Sequence, residues 1–98
     1  MKKVYYHATP YENLPSILDK GILTGYDGVV YLCEQPYEAA RFVAIRGCTK
    51  ILVIGVEIEE SMIRESNDHN FLFFKCLAYT YSENISINDC VSFSKYEI

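Results

Sequence analysis

The apolar run at residues 51–56, Ile-Leu-Val-Ile-Gly-Val, constrains this chain more than any other segment. β-Branched residues dominate it, and their stiff χ1 torsions suit extended backbone. With its flanks it reads as a strand over residues 50–58, the strongest strand signal in the chain. A membrane-spanning helix needs about 20 apolar residues, and no apolar run here is longer than these six. The run therefore needs a core to bury it.

With 98 residues the chain has room for one domain. A domain of this size buries only about 60–65% of its unfolded surface, so its stability is modest. Hydrophobic residues at 50% and charged residues at 22% suit a globular domain and are too apolar for a disordered one. The core is phenolic, drawn from nine Tyr and five Phe with no Trp. Nine basic against thirteen acidic residues give a net charge of −4, which argues against a general nucleic-acid clamp. The N-terminus, residues 1–7, has lysines but no long apolar stretch after them and reads as a first strand, not a signal peptide. Cys33, Cys48, Cys76 and Cys90 include no C-x-x-C pair, so zinc is not expected. Free thiols and a cytoplasmic location are the expectation.

Along the chain, residues 3–8 read as a strand. Thr9-Pro10-Tyr11-Glu12 has the form of a capping box, but Pro15 moves the expected helix start to Asn13 as N-cap. Leu14, Ile17 and Leu18 have helical spacing, and Gly21 suits the C-cap. Turn signals fill residues 22–28, and residues 29–33 read as a short buried strand. Pro36 opens a second helix with Ala39, Ala40, Phe42, Val43 and Ile45 on its apolar side, ended by Gly47. Residues 59–70 read as a loop, 71–82 as a strand region, 84–89 as a turn and 90–98 as a last strand. This order predicts an α+β fold: a small mixed, mainly antiparallel sheet with two helices.

Three segments stand out: Tyr6-His7-Ala8-Thr9, then Gly28-Val29-Val30-Tyr31-Leu32 with the helix after it, then Ala78-Tyr79-Thr80-Tyr81. Together they resemble the ADP-ribosyltransferase superfamily, in its diphtheria-toxin-like branch with a His-Tyr-Glu triad. The resemblance covers most of the chain. It implies a split β-sheet and an activity using NAD as substrate: transfer of ADP-ribose to a macromolecular acceptor with release of nicotinamide. It makes His7 the residue that hydrogen-bonds a ribose hydroxyl, with the backbone at Ala8 and neighbouring Thr9 beside the carboxamide. Tyr31 and Phe42, eleven residues apart, become the faces that sandwich the nicotinamide, each stack worth about 0.5–1.5 kcal/mol.

The family's third-motif Glu, which binds a ribose hydroxyl and stabilises the developing positive charge, aligns with Ala78. The resemblance places the acceptor-facing loop at residues 65–69, so Asp68 and His69 are the expected substitute acid and proton-handling pair, with Glu65 and Glu83 as other acids. Plainer readings stand beside these. His7 can be a strand-end histidine, Tyr31 and Phe42 core aromatics, Asp68-His69 a solvated loop pair, and Glu83-Asn84 a turn. Arg41, Arg46 and Lys50 form either a solvated helix end or a pyrophosphate seat. Ala78 favours a second function, a nucleotide- or partner-binding module without turnover. An RNA 2′-phosphotransferase shares the "YH.T" start, but that chemistry uses several arginines, and here there are only Arg41, Arg46 and Arg64.

Overall fold

The apolar run lies in β3 (Lys50–Glu59), flanked by β1 (Lys2–Pro10) and β6 (Cys90–Glu97) in a three-stranded sheet of order β1-β3-β6. The computed structural model describes residues 1–25, 28–66 and 78–97. Cross-strand partners share a face of a sheet, so the register Tyr5↔Val56, His7↔Ile54 and Thr9↔Leu52 assigns these residues to one side. There Tyr5, Leu52, Ile54, Val56 and Ile58 pack with Val30 and Leu32. On the other side, Ile51 and Val53 pack against Ala39, Ala40 and Val43 of α2 (Pro36–Ala44). β3 is covered on both faces, which is why its sequence is continuously apolar and not alternating.

A second three-stranded sheet has the order β2-β5-β4, from β2 (Val30–Leu32), β4 (Arg64–Ser66) and β5 (Ala78–Tyr81). Every strand pairing among the described residues is antiparallel, so the expected mixed sheet is corrected to two antiparallel ones. The two sheets meet where β2 ends. Leu32 still pairs with Tyr79 of β5, but the next residue, Cys33, exchanges two 2.8 Å backbone hydrogen bonds with Tyr6 of β1.

Several local expectations need adjustment. β1 runs through Thr9 to Pro10, and residues 11–13 form a 3-10 turn, so no capping box forms at Thr9. Asn13 stands at the N-cap position of α1 (Leu14–Lys20) without capping it. Its side chain instead donates to Thr9 Oγ1 at 2.8 Å. The expected loop at 59–70 contains a 3-10 turn and β4, whose three residues are too few to show periodicity. Of the expected strand at 71–82, residues 78–81 are a strand and 71–77 lie outside the described residues. Cys33, Cys48 and Cys90 are free thiols. Among the described residues, no helix is long and apolar enough to cross a membrane.

Gly55 interrupts the apolar run for a steric reason. A Cβ there would sit 2.3 Å from Ser92 Oγ and 3.3 Å from the Tyr6 ring. Gly55→Ala is therefore expected to destabilise by about 1–3 kcal/mol through overpacking. Adding Ser92→Ala removes the closest atom and should recover most of the loss, which a double-mutant cycle in urea will measure.

Candidate functional site

β1 and β2 place His7 and Tyr31 together. The His7 ring nitrogen Nδ1 lies 2.9 Å from the Tyr31 carbonyl oxygen. A carbonyl can only accept, so Nδ1 carries the hydrogen and Nε2 holds the lone pair. Nε2 has no protein partner among the described residues. Burial lowers the His7 pKa, and the Tyr31 carbonyl opposes that shift less strongly. Burial thus favours the neutral ring, in which Nε2 is the acceptor.

This shift has a measurable consequence. When the folded pKa lies below the unfolded value of about 6.5, the unfolded chain binds more protons between the two. The neutral ring's contribution is fully present above pH 6.5 and is lost as pH falls through that value toward the folded pKa. The melting temperature is expected to fall between pH 7.5 and 5.5, and more steeply in the wild type than in His7→Gln. Equal slopes in the two proteins would contradict the assignment.

Tyr31 is 46% exposed between the buried Val30 and Leu32, so its ring is on the outer face of the small sheet. Its cross-strand partner is Thr80, which itself pairs with Arg64 of β4. The plain reading of Tyr31 as a core aromatic is thus corrected: strand alternation turns it outward. Phe42 is partly buried and packs against the cluster beneath α2, as the plain reading expected. Asp68 and His69 lie outside the described residues.

From His7 an open groove of about 500 Å³ runs between residues 7–10 of β1, Glu12 and the C-terminal end of α2. It includes the expected Ala8 and Thr9, together with Val43 and residues 46–48. α2 ends there because Arg46 and Gly47 donate back to the Val43 and Ala44 carbonyls, and Gly47 takes φ +90°. Of the three arginines, only Arg46 lines the groove. Among the described residues, no group of three or more His, Cys, Asp or Glu side chains is placed to hold a metal ion.

One carboxylate escaped the sequence reading. Glu34, three residues after Tyr31, accepts from Lys3 Nζ at 2.7 Å and from the Tyr79 hydroxyl at 2.6 Å. The Lys3 bond, then the Tyr79 bond, hold its pKa below the usual carboxylate range. Burial, reinforced by Glu34, pushes the Tyr79 hydroxyl far above the ordinary phenol value. Tyr79 also meets Tyr5 ring to ring at 5.6 Å and 60°. The network ties β1, β2 and β5 together. Both partners of its ion pair are exposed, so solvent screens it and it ties the strands together only weakly. A carboxylate directly after a short buried strand was the available signal.

No family model matches the chain, and no curated protein matches it significantly.

Proposed function

We propose that this chain is a minimal ADP-ribosyltransferase-like domain that uses NAD as substrate and transfers ADP-ribose to a macromolecular acceptor. The observation that carries the reading is the His7–Tyr31 pairing at the junction of two antiparallel sheets. It ties the first motif to the second, on strands joined by the Tyr6–Cys33 bridge. In this reading the glycosidic bond between C1′ and nicotinamide breaks with its electron pair leaving on nicotinamide. The acceptor's lone pair forms the new bond to C1′, and the acceptor loses a proton. His7 Nε2 accepts a hydrogen bond from a ribose hydroxyl and fixes the sugar. The exposed face of Tyr31 stacks on the nicotinamide.

A second reading rests on β5 opening at Ala78, where the resemblance expects the third-motif Glu. Without that carboxylate the same site is a nucleotide-binding module without turnover.

Incubation with biotinylated NAD in a cell lysate, together with a nicotinamide-release assay on the purified protein, separates the two. Wild-type labelling that Tyr31→Ala reduces at least about tenfold supports the transferase. Saturable NAD binding without nicotinamide release supports the module. Neither labelling nor binding overturns both.

A further inference from the structure

β6 is the one long strand edge left open among the described residues. In the small sheet β2 and β4 have three residues each, and β1 is bridged through Tyr6 to Cys33. β6 has eight residues and pairs with β3 alone. The register says which of its backbone groups are free. Tyr6 exchanges both backbone bonds with Cys33, on the side of β1 away from β3. Backbone direction alternates along an antiparallel strand, so His7 and Thr9 bond with Ile54 and Leu52 of β3. Val53 and Ile51 then turn their groups to Ser94 and Tyr96 of β6. Phe93, Lys95 and Glu97 therefore direct N–H and C=O outward, toward no other strand among the described residues.

Strand edges are usually guarded against pairing by charge, proline, shortness or a bulge. β6 holds no proline, and its bulge is at its start, where the register with β3 skips Val91. Its lysine is tied back: Lys95 Nζ lies 2.9 Å from Glu97 and 4.7 Å from the Tyr11 ring centre. Lys95 and Glu97 cancel, so residues 90–97 carry no net charge in a chain of net charge −4. Val91 and Phe93 on this strand are 54% and 40% exposed.

We propose that β6 is a dimerisation edge, on which two copies of this chain pair antiparallel about a two-fold axis at Ser94. Symmetry and charge together fix that register. Centring on Lys95 opposes two lysines. Centring on Phe93 pairs Lys95 with the bulged Val91, and centring on Tyr96 leaves Phe93 outside the ladder. With Ser94 on the axis, Phe93 of each copy faces Lys95 of the other, and each such pair exchanges both backbone bonds. The Phe93 ring then covers the lysine stem, an apolar contact made twice by symmetry. A second copy is the occupant these residues select, because the same ring and the same stem meet at both ends of one ladder. The two three-stranded sheets join into one. None of this depends on the NAD reading.

Sedimentation equilibrium of the intact chain, from micromolar to millimolar concentration, is expected to show the mass rising from 11.3 kDa toward twice that value. Phe93→Lys sets lysine against lysine in both pairs and should weaken the dimer at least about tenfold. Phe93→Glu removes the same ring but sets a carboxylate against each lysine, so its dimer should be tighter than that of Phe93→Lys by a similar factor. Dilute samples of both variants should melt close to the wild type, because the substituted side chain is exposed. Ser94→Cys brings two Cα atoms to about 4.5 Å, within disulfide reach, and should give a reducible dimer on mild oxidation. Ser92→Cys, opposite Tyr96 in this register, should cross-link no more than the wild type. A wild type that stays monomeric at millimolar concentration overturns the proposal. So does a dimer that Phe93→Lys leaves intact, or equal cross-linking by the two cysteine variants. A monomer whose Phe93 and Lys95 amides resist exchange also overturns it, and shows that the chain itself covers this edge.

Discussion

Gly21→Ala is expected to cost about 3–5 kcal/mol of folding free energy, a large share of the total for a small domain. Gly21 ends α1 with φ +76° and ψ −165°, a backbone region that only glycine occupies readily. A Cβ there would stand 2.3 Å from the Ile85 carbonyl oxygen, which is backbone and cannot rotate away. That same carbonyl accepts the Ile22 N–H at 2.8 Å, and Ile85 N–H returns the bond to Ile22. Both residues are almost fully buried in the core between the sheets. Moving the carbonyl to admit a methyl group therefore breaks a hydrogen-bonded bridge and unpacks two isoleucines together. Gly28→Ala and Gly47→Ala provide the comparison. Their φ values are also positive, but among the described residues nothing beyond the adjacent ones lies within 4 Å of the added Cβ. Each should cost only about 1–2 kcal/mol, the price of the left-handed conformation. Urea denaturation of the three variants checks the order. A loss under about 1 kcal/mol for Gly21→Ala would mean that the bridge does not tie α1 to the segment before β6.

On the proposed transferase reading, His7→Ala is the second large effect, and it falls on activity. Nicotinamide release is expected to drop about 100-fold, the scale on which misplacing a reacting sugar costs rate. Stability should change little by comparison. The variant removes the His7 hydrogen bond to the Tyr31 carbonyl, at a cost of about 1 kcal/mol, or several degrees in melting temperature. The two readouts together separate a site residue from a structural one. His7→Asn retains a short amide but does not reproduce the imidazole's reach, so it should stay close to alanine in activity. Full activity in His7→Ala would remove His7 from the site.

The parts of this site that were legible early are those whose residue type is unusual for its place. A histidine expected at a strand end and a tyrosine between two valines and a leucine announce themselves; β1 in fact runs on to Pro10, and the His7 ring bonds the Tyr31 backbone carbonyl. Arg46 was visible only as one of three basic residues near a helix end. Glu12 read as part of a capping box that does not form, because β1 continues through Thr9 to Pro10 and Asn13 bonds to Thr9. Glu34 carried only the weak signal of a carboxylate just after a short buried strand. Its significance comes from Lys3 and Tyr79, thirty-one and forty-five residues away in the chain.

What residues 50–58 determined by themselves was local and robust. An apolar, β-branched run of that length is stable only as a strand buried on both faces, and β3 is that strand. Proline at the first turn of α2 and the positive-φ glycines after both helices are local in the same sense, because backbone sterics act within a few residues. Which strands pair with β3 was not local. β1 and β6, from opposite ends of the chain, flank it, while β2 divides its bonding between β5 at Leu32 and β1 at Cys33. Periodicity along a chain reports which side of a residue is buried, not what buries it. The pairing is settled by which packing covers the most apolar surface with every backbone hydrogen bond made. That choice, made only in three dimensions, brings Glu12 and Arg46 into the lining of one groove with residues 7–10.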